Sequence, residues 1–270
     1  MQGRTCFRIF TFVALLVFLS ALAASSGSVA AGGDGSEPLN VASVPVLNYH
    51  MVGDLNQALC ISAANFEEQM KYLADNGYTT ITPDQLLDHL KRGVPLPEKP
   101  VMITFDDGYV DNYRVAYPIL RKYGHKAVFF LIAGYIDNDP RFMNWQQVKE
   151  MSNNGMIMQS HTVHHANLTK LSPEDALKEL TESREIIEQE VGKPVRYLAY
   201  PTGATDKATV LLVRKAGYRG AFSVRFGEAG PDSNFYAIER IPLFRSSRTF
   251  RSFFLRLNAA PVLERFGLIR

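Results

Sequence analysis

The sequence predicts an α/β fold: a parallel β-barrel, closed or nearly closed, wrapped by helices. Two patterns carry this expectation. From residue 44 onward, short β-type runs alternate with amphipathic helical segments, as repeated βα units with a helix-covered parallel sheet require. One of the runs, Ala127–Ile132 (AVFFLI), is apolar at every position, which fits a strand buried on both faces. The number of such runs suits a barrel better than an open sheet. The 270 residues are 46% hydrophobic and 21% charged, enough to bury a core without covalent staples. That composition excludes a disordered chain, a collagen-like repeat and a disulfide scaffold.

In chain order, Pro45–Tyr49 reads as the first strand. Phe66, Met70 and Leu73 recur at i, i+4 and i+7, one face of a helix. Thr79–Ile81 is a short strand, and Pro83-Asp84 opens a helix to about Leu90. Gly93 to Pro100, with three prolines, is a loop, followed by the strand Val101–Phe105. Val115, Ile119 and Leu120 mark a helix, Ala127–Ile132 a strand, Trp145–Asn153 a helix and Met156–Gln159 a strand. Ser172-Pro173, with Glu174 and Asp175, starts a long helix to about Glu190 whose apolar side carries Leu177, Leu180 and Ile187. Val195–Tyr200, Lys207–Ala216, Gly220–Ser223 and Ala237–Ile241 read as strand, helix, strand and last strand. In the tail, Phe250, Phe253, Phe254 and Leu257 fall at helical spacing beside six arginines and a single acid, Glu264. The expectation is a helix that covers the barrel with a solvated basic face; a membrane-surface helix is the alternative.

Ahead of this body, residues 1–31 read as an export signal. Arg4 and Arg8 form a positive start, Ile9 to Ala24 is uncharged and apolar, and Ala21-Leu22-Ala23 and Val29-Ala30-Ala31 are small-residue cleavage sequences. An uncleaved membrane anchor is the alternative. Residues 32–43 read as a flexible spacer and 44–270 as the folded domain. The chain is therefore expected to be exported to the periplasm, cell surface or extracellular space, with membrane association through the N-terminal segment where the leader is retained. Net charge is +2, and Arg4 and Arg8 account for it, so the remainder is formally neutral. A neutral body speaks against nucleic-acid binding. Of the two cysteines only Cys60 lies beyond the leader, so the body forms no internal disulfide. Cys60 and His125 are expected to be structural, and Trp145, the single tryptophan, to pack against the body rather than stack on a ligand.

Polar oddities fall at the ends of the predicted strands. His50 follows PVLNY, Asp106-Asp107-Gly108 follows VMITF, Ser160–His165 follows MIMQ, and Pro201-Thr202-Gly203 follows VRYLAY. In a parallel barrel the C-terminal strand ends share one face, and that face holds the active site. Asp106-Asp107 offers one carboxylate to a metal and one to accept a proton. His161 and His165, four apart, can reach one ion, with His164 as a competing ligand. Two imidazoles and a carboxylate form an open site suited to Zn²⁺ or another divalent transition ion. The backbone N–H groups that the Pro201-Thr202-Gly203 turn leaves free after the proline can face a developing oxyanion.

These segments together resemble the polysaccharide deacetylase family, the NodB-homology group (carbohydrate esterase family 4). Thr104-Phe105-Asp106-Asp107-Gly108 is its TFDDG motif, Ser160–His165 is similar to its second motif, and Tyr200-Pro201-Thr202-Gly203 to its third. The resemblance implies a distorted (β/α)7 TIM-like barrel. It also implies Asp106 as general base, Asp107, His161 and His165 as metal ligands, and the Thr202 N–H in an oxyanion hole. The family's C-terminal acid histidine is missing, since no histidine follows His165. Leu47-Asn48-Tyr49-His50 instead resembles the permuted branch containing poly-β-1,6-N-acetylglucosamine deacetylases, which gives the acid role to His50. The arginine beside the base is Arg240 or Arg196, with Arg240 favoured. The implied reaction is metal-dependent removal of N-acetyl groups from N-acetylglucosamine-containing polysaccharide (exopolysaccharide, chitin-like or peptidoglycan). Zn²⁺ is the expected ion, with Co²⁺, Ni²⁺ and Fe²⁺ as alternatives. Rival readings are an O-acetyl (xylan-type) esterase on the same scaffold and a non-catalytic glycan-binding surface protein. A non-haem iron oxygenase shares the ligand set but is disfavoured by the repeated βα units.

Overall fold

The computed structural model describes residues 42–245 and 249–265. The leader and most of the spacer lie outside the described residues. In chain order the elements are β1 (Val46–Tyr49), β2 (Met51–Val52), β3 (Cys60–Ile61), α1 (Ala63–Asp75), β4 (Thr79–Thr80), α2 (Pro83–Arg92), β5 (Pro100–Phe105), α3 (Tyr117–Lys122), β6 (Val128–Leu131) and α4 (Trp145–Asn153). They continue with β7 (Ile157–Ser160), α5 (Pro173–Val191), β8 (Tyr197–Ala199), α6 (Lys207–Lys215), β9 (Gly220–Phe226), β10 (Ile238–Pro242) and α7 (Thr249–Arg265). Seven strands close a parallel barrel in the order β1-β10-β9-β8-β7-β6-β5, and β5 returns to β1 through Leu47↔Ile103 and Tyr49↔Phe105. β4 extends the edge of β5, and β2 pairs with β3 separately. This is the expected (β/α)7-type barrel with seven helices among the described residues.

The helices begin where the side chains can satisfy the free N–H groups of a first turn. Ser62, Thr82, Asn144, Ser172 and Asp206 are N-caps, and Thr82–Gln85, Asn144–Gln147 and Asp206–Thr209 form reciprocal capping boxes. The predicted helix around Val115 is in part a π-turn, Asn112–Ala116, which runs into α3. Leu177 is only half-buried, whereas Leu180 and Ile187 carry the core face of α5.

Strand parity sorts side chains into two apolar regions, because successive residues face opposite sides of a strand. Val46, Met102, Val128, Phe130, Tyr197, Ala199, Phe222 and Ile238 fill the barrel interior. Leu47, Ile103, Phe105, Phe129, Leu131 and Leu198 pack outward against the helices. Every one of these is buried, so the strands read as mainly apolar runs. At the outer ends of three adjacent strands the rings of Tyr49, Phe105 and Phe129 stack at 5.3 and 4.9 Å, with Phe66 of α1 edge-on to the first two. Each such pair adds roughly 0.5–1.5 kcal/mol beyond its burial. This stack sits directly behind the residues that follow β1 and β5, namely His50 and Asp106.

The tail helix packs against α1: Phe253 and Leu257 of α7 are buried, and Phe250, Phe253 and Phe254 set their rings against Tyr72 of α1. Phe254 nonetheless stays partly exposed. His125 is buried with Nε2 at 2.9 Å from the Met70 carbonyl, and the buried Cys60 thiol donates to the Gly53 carbonyl. Trp145 is half-buried against the outer core. No helix among the described residues is long and apolar enough to cross a membrane.

Candidate active site

The C-terminal ends of β1, β5, β7, β8 and β10 bring the predicted residues to one mouth of the barrel. Asn48, Thr104 and Arg240 share interior parity with Val46, Met102 and Ile238. Asp106 continues the parity of Thr104 one step past β5. These four side chains therefore meet inside the barrel, above the apolar interior.

Asp106 is 1% exposed and Arg240 0%. Arg240 donates from Nη1 to Oδ1 at 2.8 Å and from Nη2 to Oδ2 at 2.7 Å, a two-pronged pair. Its remaining donors reach the Ser223 carbonyl (2.8 Å) and Thr104 Oγ1 (3.2 Å). Asn48 Nδ2 adds a third bond to Asp106 Oδ2 at 3.0 Å. Burial alone would push the Asp106 carboxyl up, but the Arg240 charge, aided by His161 and His50, holds it well below the usual carboxylate range. The group is a fixed anion with one acceptor direction left on Oδ1. Arg196, the other candidate, precedes β8 at the opposite barrel end, where it pairs with Asp84 at 3.0 Å. Asp84 is shared there with Arg219 and the Tyr197 hydroxyl.

Asp107, His161 and His165 form a second cluster beside it. Asp107 Oδ1 is 3.4 Å from His161 Nε2 and 3.5 Å from His165 Nε2, and the three ligand atoms all lie within 4.8 Å of one another. That Oδ1 is buried and makes no hydrogen bond. Its distances to the imidazoles are long for hydrogen bonds, but they match the roughly 3.4 Å edge of a tetrahedron whose ligands sit about 2.1 Å from a central ion. The donor set fits a divalent transition metal. His161 Nδ1 donates to the Ala199 carbonyl at 2.7 Å, which leaves the Nε2 lone pair facing the cluster. Burial pulls the His161 imidazole down, but Asp107 and Asp106 outweigh it and raise its pKa; a cation in the cluster would take the place of that proton. Asp107 stays below the ordinary carboxylate range despite its burial, through His161 and His50. His164, the predicted competitor, points away: its side chain is 65% exposed and bonds Glu179 at 2.7 Å.

His50 stands beside Asp106, with Nε2 at 3.9 Å from Asp106 Oδ2 and Nδ1 buried without a partner. Its backbone carbonyl accepts from Asn112 Nδ2 at 2.8 Å. Burial lowers its pKa, and the charges of Asp106 and Asp107 oppose that fall. Thr202, in the turn after β8, has φ 59° and an exposed side chain. Gly203 beside it has φ 72°, and a Cβ there would meet Val224 at 2.1 Å.

Asn48 and Glu179 were not among the residues expected here. Asn48 had a legible signal: it is the one polar residue within the otherwise apolar first strand run before His50.

A sequence model of the family described as "Polysaccharide deacetylase" matches residues 93–221. The chain is 36% identical over 200 residues to YxkH of Bacillus subtilis (strain 168), a protein whose name places it among the polysaccharide deacetylases; the match covers 74% of this chain and 71% of that one. It is 29% identical over 224 residues to the poly-beta-1,6-N-acetyl-D-glucosamine N-deacetylase of Staphylococcus aureus (strain MSSA476), covering 72% of this chain and 77% of the relative. Among solved structures, Streptococcus pyogenes deacetylase PplD in complex with acetate superposes with a TM-score of 0.77 at 26% identity, covering 81% of this chain and 100% of that one. IcaB from Ammonifex degensii gives 0.70 at 26%, covering 80% and 97%. The chain belongs to the polysaccharide deacetylase family and has its barrel fold, with a candidate metal triad of Asp107, His161 and His165.

Proposed function

We propose that this protein removes N-acetyl groups from N-acetylglucosamine units of a polysaccharide, by hydrolysis that depends on a divalent metal, Zn²⁺ in the first instance. The observation that carries the reading is the pairing of a locked anion with an open three-ligand cluster: Asp106 held ionised by Arg240, next to Asp107, His161 and His165. A divalent ion held by those three residues would supply Lewis-acid polarisation of an acetyl carbonyl and lower the pKa of a water. Asp106 accepts the proton of the attacking water at Oδ1, the oxygen left freer by Arg240 and Asn48. His50 gives a proton to the departing amine, which leaves poorly without one. The Thr202 N–H faces the developing oxyanion. The N-acetylglucosamine assignment is supported by the name of the Staphylococcus aureus relative and by His50 after β1. Export through residues 1–31, with or without retention of the apolar run as an anchor, would bring the domain to a surface polymer.

The test is acetate release from β-1,6- and β-1,4-linked N-acetylglucosamine oligomers, from peptidoglycan and from acetylated xylan, with and without chelator. Release from an N-acetylated substrate, abolished by chelation and cut about 100-fold or more by D106N or H50A, is expected. Preference for acetylated xylan would overturn the amide reading, and undiminished turnover by D106N would overturn the assignment of the base.

A further inference from the structure

The chain between the two histidines of the cluster is irregular and strained. Thr162 (φ 66°) and His165 (φ 56°) both occupy the left-handed region, a conformation that non-glycine residues keep only where their surroundings over-determine it. Between them the N–H groups of Val163 and His164 both donate to one oxygen of Glu179, Oε2, at 2.9 and 3.0 Å. The other oxygen, Oε1, is 2.7 Å from His164 Nδ1. One turn further along α5, Ser183 Oγ meets Ser160 Oγ at 2.7 Å, and Ser160 Oγ accepts the Thr162 N–H at 3.1 Å. On the far side, the carbonyls of Thr162 and Val163 accept from the N–H groups of Ala133 and Gly134. A side chain at Gly134 would meet the Val163 oxygen at 2.7 Å. The turn is thus gripped from both sides, and on the α5 side the grip is a carboxylate on two adjacent N–H groups. Charge-assisted bonds of this kind are about twice as strong as neutral ones.

We infer that Glu179 is a positioning residue for the metal centre: its carboxylate holds the 162–165 turn so that the Nε2 atoms of His161 and His165 converge on Asp107 Oδ1. Glu179 is no member of the Asp107–His161–His165 cluster itself; it acts through the backbone between two ligands. The inference rests on reading that cluster as a metal site. Groups that orient ligands in this way typically contribute 10- to 100-fold in metal affinity.

The test is a Co²⁺ titration of the full chain, stripped of metal by chelation, following the visible ligand-field bands, with far-ultraviolet circular dichroism to verify folding. E179A is expected to bind Co²⁺ about 10- to 100-fold more weakly than wild type, with bands shifted in energy and intensity as the ligand angles relax. E179Q should lose only about 3- to 10-fold, because its amide oxygen accepts the same two N–H bonds without the charge. A folded E179A with wild-type affinity and spectrum overturns the inference. If E179A does not fold, E179Q decides: wild-type affinity and spectrum in that variant overturn it equally. A wild-type chain that binds no Co²⁺ overturns the metal-site reading itself, and this inference with it.

Discussion

Replacing Arg240 with methionine should reverse the way Asp106 couples stability to pH. In the wild type the Asp106 carboxyl has a folded-state pKa far below its ordinary value of 3.8. A group of this kind contributes stability that is present above the unfolded pKa and lost as pH falls through the folded one. Between pH 5 and 8 its contribution is constant. In R240M the guanidinium that donates to both oxygens is gone, and among the donors seen here Asn48 Nδ2 at 3.0 Å remains. The carboxyl stays 1% exposed. Removing one partner of a buried pair leaves an uncompensated charge and costs about 3–5 kcal/mol. Burial, the largest single influence on this carboxyl, is then opposed by His161, His50 and the Asn48 bond without the guanidinium, and is expected to lift its folded pKa above the unfolded value. The group then contributes stability below the unfolded pKa and loses it as pH rises through the folded one. The deficit of R240M should therefore be largest at pH 7–8 and shrink on acidification, by up to about 1.4 kcal/mol per unit once pH passes below the raised pKa. Urea unfolding at pH 5, 6, 7 and 8 measures this. The double variant D106N/R240M subtracts other titrating groups and should recover at least half the loss at pH 7, because no uncompensated charge remains at position 106. An R240M deficit under about 1 kcal/mol at pH 7, or one that grows on acidification, would refute the reasoning.

Three further outcomes follow from the geometry. Zn²⁺ at about 100 times its Kd should raise the unfolding free energy by about 2.7 kcal/mol, measured by thermal unfolding; chelator should reverse the gain, and H161A should show none. G108A should destabilise by about 2–4 kcal/mol in urea, because Gly108 has φ +86° and a Cβ there would lie 2.9 Å from Leu131 Cδ2; a loss below about 1 kcal/mol would mean the turn relaxes freely. Asp111, whose carboxyl burial lifts to about 6 against hydrogen bonds from Val52 and Asn112, contributes stability that is lost as pH rises from about 4 to 6. D111N should flatten that stretch of the stability profile and, with partial solvent contact discounting the full shift, gain about 1–2 kcal/mol at pH 7.

The barrel was legible because most of its strand residues are buried on both faces, which writes short, mainly apolar runs such as Ala127–Ile132 into the sequence. The predicted strands agree with the observed ones to within a few residues, and Pro83-Asp84 and Ser172-Pro173 marked the starts of α2 and α5. The Met51–Val52 and Cys60–Ile61 pair was not legible, since two residues carry no period. The site was legible by position rather than by residue type: polar groups directly after apolar runs all arrive at the same mouth. Arg240 and Arg196 illustrate the rule. Arg196 precedes its strand and lands at the opposite end with Asp84, whereas Arg240 lies inside β10 at the parity of Ile238 and points inward. Asn48 obeys the same parity two residues after Val46. Glu179 had no such mark, because α5 carries many acids along its length and only the fold selects the one that faces the 162–165 turn.

The distribution of strain explains why so firm a barrel surrounds this mouth. Among the described residues five non-glycine residues have positive φ, and four of them (Asp107, Thr162, His165 and Thr202) belong to the segments that follow β5, β7 and β8. Two are candidate metal ligands and one offers the N–H assigned to the oxyanion. Each such conformation costs about 1–2 kcal/mol, a sizeable sum against a typical net stability of about 5–15 kcal/mol. The segment after β5 keeps it because it is backed by the Tyr49–Phe105–Phe129 stack and by the Arg240–Asp106 pair, and the turn after β7 because Glu179 and the N–H groups of Ala133 and Gly134 hold it. An extended path out of β5 carries the Asp106 side chain inward, and the left-handed turn at the next residue lets Asp107 face the same mouth. The adjacent aspartates serve two different partners because the backbone bends between them, and that bend has the glycine at position 108 to complete it.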